Sequence, residues 1–371
     1  MRKYFDIAET MEGVISLGVG EPDFCTPWRI CAASVYSIEH GRTSYTSNKG
    51  LLSLREMLAQ DLRSKYHLEY DPGSEIIITS GVSEALDIAL RAVVDPGDEV
   101  LVAEPSYVAY SPGVTLAGGV SVPVPCTAEK GFNLTPDALM ERITPRTKAL
   151  IINFPNNPTG AVMDRSGLKG ISDVVVDHDL LLISDEVYSE LTYEGSHTSA
   201  ATLADMWERT ITLNGFSKAY AMTGWRIGYL CAPRPICEAA LKIHQYVMLC
   251  APIMGQMAAV EALRSGEEEK NAMVREYRLR RNLFVDGLNK IGLACHLPRG
   301  AFYAFPSVES TGLSDTEFAE RLLVEQHVGV VPGSVFGEAG RGRLRCAYAV
   351  SREEILAALQ RMEVFLSGLK C

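Results

Sequence analysis

The chain has 371 residues, which suggests about two domains, and its 47% hydrophobic and 22% charged residues suit a protein that buries a full core. Thirty-five lysines and arginines against 46 aspartates and glutamates leave a net charge of −11, which repels phosphate backbones and argues against a nucleic-acid partner. No apolar stretch reaches the roughly 18 residues of a membrane span. Met1 to Thr10 carries Arg2 and Lys3 without the apolar run of a signal peptide. Nine scattered cysteines show no C-x-x-C and no zinc spacing, so the expectation is a cytoplasmic protein without a structural metal.

In chain order, short runs rich in Ile, Val and Leu at 75–79, 100–103, 149–153, 180–184, 210–213 and 227–231 read as strands covered on both faces. Helical patterns lie between them, as at 83–94 and 164–177. This alternation predicts an α/β domain with a doubly wound, mainly parallel sheet over residues 41–255. After Pro252 come two long helical stretches broken by the charged segment 264–271, strand-like pieces at 301–305 and 344–349, and a helix over 352–369. They predict a smaller α+β module as the second domain.

Four loops carry chemistry. Residues 79–84 (TSGVSE) turn from a strand into a helix, and the free N–H groups of Gly81, Val82 and Ser83 suit an anion as readily as an ordinary cap. Residues 153–160 (NFPNNPTG) form an irregular loop at a strand end, the edge of an open α/β sheet where ligands sit. Asp185, in SDEVY (184–188), stands at the mouth of a buried strand and needs a cationic partner, or else Glu186 is the solvated member of the pair. In 214–228 (NGFSKAYAMTGWRIG), Lys218 is set among small and apolar neighbours that lower its pKa and make its amine a nucleophile; the alternative is a surface lysine. Arg226 supplies a fork for phosphate.

The ordered set N-N-P-T-G, S-D-E-x-Y and S-K-x-x-x-x-x-G-W-R-I-G resembles the fold type I pyridoxal-phosphate enzymes, specifically the class I/II aminotransferases of the aspartate and aromatic type. Further similarity lies in 17–24 (LGVGEPDF), 45–50 (YTSNKG), 95–100 (DPGDEV), 300–306 (GAFYAFP), 331–337 (VPGSVFG) and 345–349 (RCAYA). The resemblance implies a large seven-stranded domain, 41–255, a small domain formed by both chain ends, 1–40 and 256–371, and transfer of an amino group from an L-amino acid to a 2-oxo acid, such as 2-oxoglutarate, by a ping-pong cycle. It implies that Lys218 carries pyridoxal 5′-phosphate as an aldimine and shuttles a proton. Asp185 would pair with the ring nitrogen, Tyr188 and Asn157 with the ring oxygen, and Tyr107 would stack on the ring. Gly81, Val82, Ser83, Ser217 and Arg226 would hold the phosphate, joined by Tyr45 from the neighbouring subunit of a homodimer. Arg345, with Asn157 and the backbone near Gly20, would hold the substrate α-carboxylate.

Two departures bear on specificity and cofactor binding. Gly215 stands where many relatives have a phosphate-binding serine. Ser83 stands near where some aspartate-using relatives have a lysine, which favours neutral or aromatic amino acids. A carbon–sulfur β-lyase of the same fold shares the motifs and differs in releasing ammonia and pyruvate. Tyr45-x-x-x-Lys49 matches a dehydrogenase pair, but no glycine-rich dinucleotide loop accompanies it. A ligand-sensing regulator would need a DNA-binding domain ahead of residue 17.

Overall fold

In the computed structural model, which describes residues 11–369, β1 (Ile15–Ser16) opens the described chain and lies outside the main sheet. Seven strands build that sheet: β2 (Ile76–Thr79), β3 (Glu99–Glu104), β4 (Val120–Pro125), β5 (Thr147–Asn153), β6 (Leu181–Asp185), β7 (Thr210–Gly215) and β8 (Gly228–Cys231). Their order is β2-β8-β7-β6-β5-β3-β4, with β8 antiparallel to both neighbours and the other pairs parallel.

The runs lack polar alternation because both faces are covered. Val100, Val102, Ile151 and Ile183 enter a core with Leu86 and Leu90 of the helix Gly81–Val93. Leu101, Leu150, Ile152 and Leu182 enter another with Leu168 and Ile171 of the helix Arg165–Asp177. The latter helix starts where its sequence says it should, since the Asp164 carboxylate accepts the Gly167 N–H at 2.8 Å.

The chain ends build a second layer. β9 (Tyr303–Ala304), β11 (Val331–Pro332) and β12 (Leu344–Ala347) form an antiparallel sheet in the order β11-β12-β9, and β10 (Val328–Gly329) pairs in parallel with β1. The helices Glu267–Lys290, Asp315–Gln326 and Arg352–Leu369 share their core through Phe284, Phe318 and Phe365. Ile30 of the helix Trp28–Glu39 and Ala258 and Ala259 of the helix Ile253–Ser265 pack instead with Ile76, Ile78 and Ile227 beside the large sheet.

Among the described residues no helix is long and apolar enough to cross a membrane, and no cluster of side chains could hold a metal ion. The eight described cysteines are free; Cys371 and the segment Met1–Thr10 lie outside the described residues.

Candidate active site

Strands β2, β5, β6 and β7 run the same way, so the loops that follow them meet at one edge of the sheet. Asp185 ends β6, level with Asn153 of β5. It is 5% exposed; Oδ2 accepts the Tyr110 hydroxyl at 2.8 Å and Oδ1 accepts the Val187 N–H at 3.1 Å. Burial pushes its carboxyl up to about 6, against the pull of those two hydrogen bonds. The Asn153 amide donates to the Asp185 carbonyl at 2.8 Å, and the Asn153 side-chain oxygen accepts the Asn157 N–H at 2.9 Å. One asparagine thereby ties the β5 loop to the β6 loop.

Lys218 follows β7 by three residues. Its Nζ donates to the Gly20 carbonyl at 2.6 Å and lies 5.9 Å from the Tyr188 ring and 5.7 Å from the Phe302 ring. Burial lowers its pKa to about 8, helped by Arg345 and Arg226 and opposed by Glu21 and Asp185. A minor but useful fraction of the amine is therefore neutral near physiological pH, far more than for an exposed lysine. Tyr188 is buried with its hydroxyl 2.7 Å from that of Tyr303, and burial holds its pKa well above the ordinary tyrosine value.

Arg345, on β12, is 3% exposed and lies between two rings, 4.8 Å from Tyr303 and 4.8 Å from Phe336. Its guanidinium donates to Asn157 Oδ1 at 3.1 Å and to the Gly18 carbonyl at 2.5 Å, while Nε is buried without a hydrogen-bond partner. A buried guanidinium with an unused donor and no facing carboxylate is suited to a carboxylate brought in by a ligand.

On the other side, Arg226 holds a left-handed backbone, φ 55°, and donates to the Thr223 carbonyl at 3.0 Å. Gly81 also has positive φ, 76°, and any side chain there would strike the Arg226 guanidinium. Glycine thus lets the arginine lie against the start of the helix Gly81–Val93, where free N–H groups and a cation together suit a phosphate. Gly215 has no room for a serine, since a Cβ would sit 2.9 Å from the Ile227 carbonyl oxygen and 3.0 Å from the Gly228 Cα.

A cavity of about 1070 Å³ brings these groups together. Gly20, Val82, Ser83, Tyr107, Asn157, Asp185, Tyr188, Ser217, Lys218, Arg226 and Arg345 line it. Gly81 lies behind Arg226, and Tyr45 is 83% exposed and away from the lining. Sequence reasoning missed Tyr110 and Tyr303. Tyr110 opens the helix Tyr110–Leu116 three residues after Tyr107, and the two rings meet edge to face at 5.6 Å; Tyr303 sits in the aromatic string 301–305, where it reads as core.

Fold and cavity together define an enzyme of the doubly wound α/β class, with an amine, a carboxylate and two guanidiniums around one small-molecule site. The model for aminotransferase class I and II matches residues 12–362, and the chain belongs to that family. It is 45% identical to aromatic-amino-acid aminotransferase 2 of Thermococcus litoralis, over 100% of this chain and 96% of the relative. It is 46% identical to an aspartate aminotransferase of Pyrococcus abyssi with the same coverage of both chains. The crystal structure of an aromatic aminotransferase from Pyrococcus horikoshii superposes with a TM-score of 0.95 at 44% identity, covering 99% of each chain. The protein is an aminotransferase of fold type I.

Proposed function

We propose that this aminotransferase works with pyridoxal 5′-phosphate and moves the amino group of a neutral or aromatic L-amino acid to a 2-oxo acid such as 2-oxoglutarate, as a cytoplasmic homodimer. The observation that carries the reading is Lys218, an amine lowered to about 8 in the cavity that also holds a buried carboxylate, Asp185, and the buried Arg345, whose Nε has no partner. The residues fit the cofactor. The Gly81 turn, with Val82, Ser83, Ser217 and Arg226, suits its phosphate. Asp185, raised to about 6 with no cation bonded to it, suits its ring nitrogen. Tyr107 suits its ring face, and Tyr188 and Asn157 suit its ring oxygen. When bound, the cofactor supplies an electrophilic carbonyl and an electron-accepting ring.

The chain's own residues do the rest. Arg345 and Asn157 hold the α-carboxylate of the donor and fix its α-carbon toward Lys218. Lys218 Nζ, neutral in part at pH 7, takes the α-proton and later returns it; its low pKa matches the operating range of a general base. Tyr303 holds the Tyr188 hydroxyl in place and covers one face of Arg345. The amino group stays on the enzyme between two half-reactions, which gives the ping-pong order.

Apolar and aromatic lining favours neutral donors: Met11, Val14, Val19, Leu86 and Val187 line the cavity, and the cations on it are Lys218, Arg226 and Arg345, all with roles above. The sequence divides the chain into 41–255 and the two ends, 1–40 with 256–371. The packing of Ile30 and Ala258 beside the large sheet supports wider bounds, with the helices Trp28–Glu39 and Ile253–Ser265 in the large domain and only the ends beyond them in the small one.

The test is a visible absorption spectrum of the cofactor-loaded protein while amino acids are added singly. We expect aromatic and neutral donors to bleach the band and 2-oxoglutarate to restore it. Ammonia and pyruvate accumulating under an unchanged band would instead mark a β-lyase, and absence of any band with added pyridoxal phosphate would overturn the reading.

A further inference from the structure

His244 has no place in the chemistry above, yet it is fully buried on the helix Arg234–Val247, which packs against the helix Gly81–Val93. Its Nδ1 lies 2.6 Å from Glu84 Oε1. A carboxylate only accepts, so the imidazole donates. Its Nε2 meets no hydrogen-bond partner among the described residues, so Glu84 is the ring's one polar side-chain contact. Burying an imidazole for a single contact is costly where an apolar side chain would pack freely.

The other Glu84 oxygen, Oε2, accepts the Ser80 backbone N–H. Ser80 is the residue before Gly81, and its own side chain makes no capping hydrogen bond. Glu84 therefore reaches back from the first turn to hold the N–H of the N-cap residue, the returning half of a capping box, while His244 fixes the rotamer of Glu84. The N–H groups of Val82 and Ser83 receive no side-chain cap and stay available to an anion. Neither Glu84 nor His244 lines the cavity.

We propose that His244 is a positioning residue for the phosphate cradle, acting through Glu84 on the Ser80–Gly81 turn; the inference rests on the cofactor reading above. It sets how tightly a phosphate is held and leaves the ring and substrate contacts alone.

The experiment titrates the cofactor-free apoprotein with pyridoxal phosphate and, separately, with pyridoxal, which lacks the phosphate. Glu84→Ala and His244→Phe are each expected to weaken pyridoxal phosphate binding about ten-fold, the size of one net hydrogen bond, with pyridoxal binding unchanged. Glu84→Gln, which keeps an acceptor for Ser80, is expected to recover most of the affinity. The double variant should lose no more than Glu84→Ala, because His244 acts through Glu84. Variants that match the wild type for both ligands, or lose affinity for both alike, overturn the inference. Should Glu84→Ala fail to fold, His244→Phe answers the same question from the second helix. A wild type that binds the two ligands equally removes the phosphate site, and with it both this inference and the cofactor reading.

Discussion

Lys218 and Asp185 are shifted in opposite senses by one cause. Burial disfavours charge, which pulls the amine down to about 8 and pushes the carboxyl up to about 6. Only the neutral amine attacks a carbonyl, so the pH course of its reaction reads its pKa. In the apoprotein, trapping of pyridoxal at Lys218 by borohydride is expected to rise with pH through a midpoint of about 8, not the roughly 10.4 of an exposed lysine. Lys218→Ala is expected to remove that trapping and abolish turnover while cooperative unfolding persists; sustained multiple turnover in the variant would overturn the assignment. The sequence made Lys218 and Asp185 visible because a charged group beside apolar neighbours is chemically conspicuous, and the family resemblance supplied Arg345. Tyr110 and Tyr303 were not, because a tyrosine in an apolar string reads as packing until its hydroxyl is seen to find a partner.

Among elements, the six strands with continuous apolar runs were legible and the seventh was not. β4 (VSVPVP) contains two prolines, pairs only with β3 at the sheet edge and is largely exposed, so it lacks the signal of a buried strand. The break within 264–271 shrinks to the single residue Gly266, and the acidic run from Glu267 opens the next helix, where its charges face the positive end of the helix dipole. β7 carries the clearest departure from the family pattern, Gly215, and its neighbours explain it. Gly215→Ser is expected to destabilise the protein by about 1–3 kcal/mol without tightening pyridoxal phosphate binding. An earlier midpoint in chemical denaturation, beside an unchanged dissociation constant, would show this; a tighter complex would mean the strand yields to admit a phosphate ligand.

At the scale of the whole molecule, sheet order was beyond periodicity, which reports faces and not neighbours, and the joining of the chain ends came from the family resemblance. Exposed apolar side chains bear on the assembly: Trp28, Tyr36, Ile38, Tyr45, Tyr246 and Val247 are all more than half exposed. If a second copy covers them, sedimentation will give twice 40.5 kDa. Inactive Tyr45→Ala and Lys218→Ala proteins, mixed, will then regain activity as hybrids pair one intact site with one doubly impaired site. No regain would place Tyr45 in its own protomer's site. The Arg345 clamp has a further consequence, one of timing. Arg345 holds Gly18, and Leu17 bonds to both Gly329 and Ala347, so the earliest and latest parts of the site complete each other. On the ribosome, Lys218 and Asp185 emerge more than a hundred residues before Arg345, a delay of roughly ten seconds at ordinary synthesis rates. The nascent chain thus has its lysine well before it can grip an amino acid, and it becomes an enzyme only when its last strand, β12, bonds to Leu17 near the start of the chain.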